Sequence, residues 1–394
     1  MKELWLFTRQ YPEGRGEAFL HAALTVWAAH YDRVCVVPMF NGPGLAELPA
    51  GVELCRLWDD PFRSLPMGRT LAQLPTVLRA LLRRRGTDPP GHALSNVRQL
   101  LEKRDRVMAA LMPRYVPGEV HVLSAWMEDC VTMLGLVKEL HPDLRFATLA
   151  HRSDLFPERR ATGRIPYRDW QMAQVDRVIA ISHDGVRYLQ ERFPKHAHKV
   201  SLAYLGTPDL GPAPWSPAST LRIVSCAYLR SPKRVDLIAR ALARVRRPVE
   251  WTHFGDGPDR DALEGSVSRL PGHVRVRLMG NVPPPRLMDW YRANPVDLFL
   301  HLSQHEGVPV ALMEAISFGI PVWASDVGGV SELLAPDAGL LLPADIDEQR
   351  LAALLDGPTS AQWCTAAARS GVRRWWQGHF SAERNFARML ALLP

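Results

Sequence analysis

The stretch His305-Glu306-Gly307-Val308-Pro309-Val310-Ala311-Leu312-Met313-Glu314 decides how this chain is read. It follows the apolar run Asp297–Ser303, which has the character of a buried strand. It leads into an apolar-periodic segment that ends at Gly319, then Pro321 and a second strand, Val322–Ser325. Gly307 supplies a turn, and Pro309 suits a first helical position because its missing N–H costs nothing there. The unit is strand, turn, helix, strand. In open α/β sheets the carboxyl edge of the strands is where ligands bind, and a helix N-terminus there attracts phosphate. Glu306 and Glu314 would repel a phosphate, so their useful partners are neutral donors such as sugar or ribose hydroxyls. An anion pocket beside hydroxyl acceptors fits a nucleotide sugar.

Outward from this stretch, the same alternation fills the chain. In the first half, Glu3–Thr8, Arg33–Phe40, His121–Trp126, Arg145–His151 and Arg177–Ser182 read as strands. Between them Glu17–Tyr31, Met67–Arg85, His92–Met112 and Glu128–His141 carry apolar residues at helical spacing. Alternation of this kind predicts a parallel sheet covered on both faces. The segment Leu205–Ser219 is too rich in Gly and Pro for helix or central strand and marks a boundary. The pattern restarts with Leu221–Ala227, Glu250–Phe254, Val274–Met279, Asp297–Ser303, Val322–Ser325 and Gly339–Leu342, and ends in two helical stretches, Ala361–Trp376 and Ser381–Leu393.

A length of 394 residues allows two domains, and 47% hydrophobic with 23% charged residues describes a globular chain. No apolar run approaches the ~20 residues of a membrane span, and Leu4–Phe7 before Arg9 is too short for a signal peptide. Five scattered cysteines, Cys35, Cys55, Cys130, Cys226 and Cys364, lack any C-x-x-C pair. They read as free thiols in a reducing cytoplasm. The formal charge of +7 is uneven: residues 1–200 hold 28 Lys+Arg against 22 Asp+Glu, the remainder 20 against 19. A basic first half facing an anionic partner is a functional asymmetry. Nucleic acid is disfavoured, because no aromatic-interleaved basic platform or helix-turn-helix pattern accompanies the charge.

The spacing of Glu306 and Glu314, followed by Gly319-Ile320-Pro321-Val322 and by Asp326-Val327-Gly328-Gly329 with Glu332, resembles glycosyltransferase family 4, the retaining GT-B enzymes. The resemblance implies an α/β fold of two Rossmann-like domains facing across a cleft. Residues 1–205 would form the acceptor-side domain and 206–376 the nucleotide-sugar-binding domain, with 377–394 a helix crossing back to the first. It implies that Glu314 binds the donor ribose and that Glu306 holds hydroxyls of the donated sugar near the reacting carbon. The amides of Gly307, Val308 and Val310, with Pro309 between them, would line the sugar–diphosphate pocket. In Tyr228-Leu229-Arg230-Ser231-Pro232-Lys233-Arg234, Lys233 matches the family's diphosphate-binding lysine. The usual arginine falls at Tyr228, a departure for which Arg230 and Arg234 are the candidate substitutes, Arg230, in the loop, being the one chosen. Gly255 and Met279, at strand ends, would neighbour the nucleotide, and His151, ending a strand of the first half, would contact the donor sugar. Gly16, in Gly14-Arg15-Gly16-Glu17, would lie by the donor phosphate; Phe19 stands where a dinucleotide fingerprint needs its third glycine.

Together these imply a retaining hexosyltransferase-type enzyme, metal-independent and without cofactor, whose donor is a UDP- or GDP-sugar. Glu306, His151 and Lys233 would carry the catalysis. Its acceptor would be a saccharide or lipid-linked hydroxyl compound in bacterial exopolysaccharide, capsule or lipopolysaccharide assembly. The enzyme would work in the cytoplasm at the anionic inner face of the membrane. The alternatives are a nucleotide-sugar-binding partner subunit without turnover, or a GT-B nucleotide-sugar epimerase that needs no acceptor. Asp345-Ile346-Asp347 is read as a helix cap rather than a metal site.

Overall fold

The computed structural model describes the chain apart from residues 15–16, 43, 45, 61, 85–89, 158–162, 335 and 337. It divides into two compact units, Met1–Tyr204 with Phe386–Pro394, and Leu205–Asn385.

The first unit is built on a parallel sheet of seven strands: β1 (Glu3–Thr8), β2 (Arg33–Pro38), β3 (Val52–Leu54), β4 (Val120–Ser124), β5 (Ala147–Ala150), β6 (Arg177–Ala180) and β7 (Val200–Leu202). Their order is β3-β2-β1-β4-β5-β6-β7. Every residue of β1 is buried, as expected of a strand covered on both faces by crossover helices. Trp5, Phe7, Val37, Val122, Phe146 and Val178 fill the space between sheet and helices. Two expectations need correction here. The helix expected over Met67–Arg85 is two, Met67–Ala72 and Leu74–Arg84. Pro75 lies at the second position of the latter, where it is tolerated, but it could not continue a helix from before Gln73. Cys35 and Cys55 are joined in a disulfide, leaving Cys130, Cys226 and Cys364 free. The pairing follows from β3, a strand too short to announce itself: Cys35 lies opposite Glu53 in the β2–β3 ladder, and the Cys55 amide continues it onto the Val36 carbonyl at 2.8 Å.

The second unit holds a six-stranded parallel sheet: β8 (Leu221–Cys226), β9 (Val249–Phe254), β10 (Val274–Leu278), β11 (Leu298–His301), β12 (Val322–Ser325) and β13 (Gly339–Leu342). The order is β10-β9-β8-β11-β12-β13. Chain direction across the sheet reverses between β8 and β11, and such a switch point opens a crevice at the carboxyl ends of its two strands. The segment after Tyr204 is not loose. Thr207 bridges to Ser381, and its hydroxyl accepts the indole N–H of Trp376 at 2.8 Å. Within the first unit, the Trp27 indole N–H donates to the Phe386 carbonyl at 3.1 Å, and the two rings meet edge to face at 5.7 Å. Among the described residues no helix is long and apolar enough to cross a membrane.

Candidate active site

The switch point of the second unit gathers the chemistry. From β8 the chain runs through Ala227–Arg230 into a 3-10 turn, Ser231–Lys233; from β11 it runs into the loop before the helix Val310–Ser317. The Gln304 amide donates to the Pro232 carbonyl at 2.8 Å, clamping the two loops together. That contact delivers Lys233 to Glu306: the ammonium donates to Oε1 in an ion pair. The same oxygen lies 2.8 Å from Nε2 of His301, the last residue of β11. A carboxylate only accepts, so this ring nitrogen carries the hydrogen. Burial raises the Glu306 carboxyl, but the hydrogen bond and charge of His301, then those of Lys233, outweigh it and hold the group at about 2. Glu306 is an anion with its Oε1 occupied; among the described residues nothing engages Oε2.

Glu314 is its opposite. It lies on the helix Val310–Ser317, and its carboxyl has no hydrogen bond or ion pair among the described residues. Burial alone raises it to about 7. Around it the Cys226 thiol is pushed up to about 12 by burial and then by the Glu314 charge. The buried Tyr291 hydroxyl, which feels the same charge, has no hydrogen-bond partner among the described residues. Ser303, fully buried after β11, likewise has its hydroxyl unpaired among the described residues. Desolvated polar groups left open cost free energy that a bound donor recovers.

Of the two candidate arginines, Arg234 is committed. It sits in the left-handed region at φ 46° and donates to the Leu302 carbonyl at 2.7 Å and to the Ser325 hydroxyl at 3.0 Å. Arg230 is exposed in the loop. Gly255 is enforced by geometry: φ is +136°, and a Cβ there would fall 1.9 Å from the Ala227 carbonyl oxygen. Its amide donates to the Gly280 carbonyl at 2.8 Å, while the neighbouring Met279 amide donates to His253 and leaves its side chain exposed. On the far side of the loop, a Cβ at Gly329 would fall 2.8 Å from the Gly307 carbonyl oxygen. Gly307 is therefore pressed against the turn after β12, with Val308 buried beside it and Pro309 capping the helix that begins at Val310.

In the first unit, Gly16 lies outside the described residues, but Glu17 beside it organises the loop after β1. Its carboxylate accepts the amides of Arg9, Gln10 and Tyr11 at 2.9, 2.6 and 2.7 Å, and the Trp126 indole N–H at 2.5 Å. His151 follows β5, stacked at a tilt on Trp126 with centroids 4.4 Å apart, and its Nε2 donates to the Ala125 carbonyl at 3.1 Å. Burial pushes the imidazole down to about 4. It is neutral at physiological pH, so no role assigned to it can rest on a positive charge. Asp154, held between the amides of Met127 and His151, is raised to about 7 by burial against the pull of Arg168. A cavity of about 400 Å³ lies on this unit, lined by Arg9, Phe40, Arg84, Trp126, Glu128 and Arg164 among others.

His301, Ser303, Glu17 and Trp126 were not selected from the sequence. His301 had a signal, standing at a strand end five residues before Glu306; Glu17 and Trp126 had none, since their partners are distant or main-chain, and Ser303 is marked only by its burial.

Residues 216–360 match the family described as glycosyl transferases group 1. The chain is similar to the amylovoran biosynthesis glycosyltransferase AmsK of Erwinia amylovora, at 30% identity over 186 residues, covering 44% of this chain and 45% of that protein. It is also similar to D-inositol 3-phosphate glycosyltransferase of Kribbella flavida, at 26% identity over 354 residues, 83% of this chain and 78% of that one. It thus spans less than half the length of the first of these curated relatives. Among solved structures, Anabaena Alr3699/HepE in complex with UDP shares the fold, with TM-score 0.65 and 18% identity over 99% of this chain and 100% of that one. Residues 216–360 are a glycosyl transferases group 1 domain, set in a chain with the two-unit fold of the GT-B glycosyltransferases.

Proposed function

We propose that this protein is a retaining glycosyltransferase that moves a sugar from a nucleotide-sugar donor to a hydroxyl of a saccharide or lipid-linked acceptor in bacterial surface-polysaccharide assembly. The observation that carries the reading is the pair of opposed carboxyls at the β8–β11 switch point: Glu306 ionised and braced by Lys233 and His301, Glu314 half-buried and, among the described residues, unpartnered. An unpaired carboxyl facing a ribose gains two hydroxyl donors on binding. Glu306 offers Oε2 to a hydroxyl of the transferred sugar. Lys233 spends one of its donors on Glu306 and keeps two for the diphosphate, with Arg230 an exposed cation in the same loop. In this reading the departing diphosphate takes the acceptor proton, and the protein contributes orientation and electrostatics. A uridine donor is the first to test, because Alr3699/HepE is known in complex with UDP.

Activity without metal belongs to the same proposal. Asp347 of Asp345-Ile346-Asp347 spends its carboxylate on the Arg350 amide at 2.7 Å, capping the helix Glu348–Asp356. The deciding experiment is a thermal-shift screen of UDP- and GDP-sugars, followed by acceptor-dependent release of nucleoside diphosphate with and without chelator. A donor that stabilises the protein and releases diphosphate only with acceptor supports transfer. Binding without release points to a non-catalytic subunit, release without acceptor to an epimerase or hydrolase. Activity lost to chelator and restored by manganese overturns the metal-free mechanism.

A further inference from the structure

The twelve large apolar side chains exposed among the described residues are not scattered: six lie between Phe62 and Leu82. On the two helices Met67–Ala72 and Leu74–Arg84 they fall at Met67, Leu71, Leu74, Leu78 and Leu82, a single stripe at helical spacing. Exposure reaches 64% at Leu71, 50% at Leu78 and 78% at Leu82. The opposite face, with Thr70, Val77 and Ala80, is the one that is buried. A core-facing helix would show the reverse. Isolated exposed leucines need no explanation, but a contiguous stripe marks an interaction surface.

Charge names the partner. From Phe62 to Thr87 the sequence has six arginines and no acid. Arg63 and Arg69 do meet acids, Glu102 at 3.7 Å and Asp105 at 3.0 Å, yet the acids sit inside and the guanidiniums outside, 58% against 9% exposed and 60% against 17%. Arg83 pairs with Glu139 at 2.6 Å, and among the described residues Arg79 meets only the Pro75 carbonyl. What faces solvent is leucine flanked by cation. A two-fold contact between copies would set this basic rim against itself, whereas an anionic bilayer supplies both the apolar interior and the counter-charge.

We infer that the Met67–Arg84 face docks on an anionic membrane surface, with the leucine stripe inserted at the headgroup level and Arg63, Arg69 and Arg79 on lipid phosphates. The second helix ends at Arg84, which lines the 400 Å³ cavity of the same unit. Docking therefore brings that cavity, with Arg9 and Arg164, to the plane in which a lipid-linked anionic acceptor is held. Only this last step rests on the proposed transfer reaction; the docking does not.

The test is co-sedimentation of the full chain with vesicles of phosphatidylcholine alone or mixed with phosphatidylglycerol. Wild type should pellet with the anionic vesicles, far less with the neutral ones, and less in high salt. The L71S/L78S/L82S variant should lose binding to background, while its unfolding temperature stays at or above the wild-type value. The R63Q/R69Q/R79Q variant should bind about a hundredfold more weakly, each arginine contributing about fivefold at an anionic leaflet. Equal binding to both vesicle types, no binding to either, or full binding by the leucine variant overturns the proposal. So does sedimentation velocity showing a wild-type dimer that the leucine substitutions dissociate, with no vesicle binding. Donor-induced stabilisation, measured on the same samples, tests the transferase reading separately.

Discussion

Glu306 and Glu314 share one loop and helix, yet their surroundings push them in opposite directions, and pH should separate them. Glu306 is held at about 2 against an ordinary value of 4.5, so its stabilisation is complete above 4.5 and is lost as pH falls toward 2. Glu314 is raised to about 7, so the folded state keeps a proton the unfolded chain has released. Its effect on stability is therefore lost as pH rises from 4.5 through about 7. Thermal unfolding across that window should show a falling slope that Glu314→Gln flattens; an unchanged slope removes the assignment. Ribose hydroxyls would bind the ionised form, so donor affinity should strengthen through the same window in wild type and stay flat in Glu314→Gln. For the chemical step, Lys233→Ala and Glu306→Ala should lower kcat by ~10²-fold with less change in donor KM. A variant of either that turns over at the wild-type rate would sink the assignment.

At the scale of elements, main chain rather than side chain decides several positions. Gly255→Ala places a methyl against the Ala227 carbonyl at a φ that L residues rarely adopt, a strain of about 1–3 kcal/mol before any clash. Its unfolding temperature should drop clearly, where alanine at the open Gly265 should not. Glu17→Ala strips the acceptor from three successive amides and from the Trp126 indole. It should cost at least about 2 kcal/mol and shift Trp126 fluorescence; an unshifted spectrum would mean the loop does not depend on that carboxylate. The long strands were legible because burial on both faces writes itself as an unbroken apolar run, as in Trp5–Phe7 or Val322–Ala324. The three-residue edge strands Val52–Leu54 and Val200–Leu202 were not, being too short to show any period. At the site, Lys233 and Glu306 could be picked from motif and strand end, and the structure pairs them. The bond from His301 depends on how the loop folds back over β11, and the Arg234 anchor on the distance to Leu302 and Ser325; neither is encoded in local spacing.

At the scale of the molecule, each unit has its own buried core, and Lys233, Glu306 and Glu314 all belong to the second. Calorimetry should resolve two transitions, of which a saturating nucleoside diphosphate raises one, by about 2.7 kcal/mol at a hundredfold excess over Kd. Both rising equally would deny the units their independence. The disulfide predicts that the denatured, unreduced chain titrates three thiols and the reduced chain five. Five in both would return Cys35 and Cys55 to the free state the sequence suggested.

The edge-to-face contact of Trp27 and Phe386 sets an order of events during synthesis. The two residues are 359 positions apart, so at ~5–20 residues per second the indole waits roughly 20–70 s for the carbonyl that satisfies it. Meanwhile the second unit, Leu205–Asn385, is one continuous segment and can close as soon as it has been made. The unit begun first is therefore finished last. On a ribosome, a chain halted before residue 386 should carry a protease-resistant second unit beside a first unit that is still cleaved.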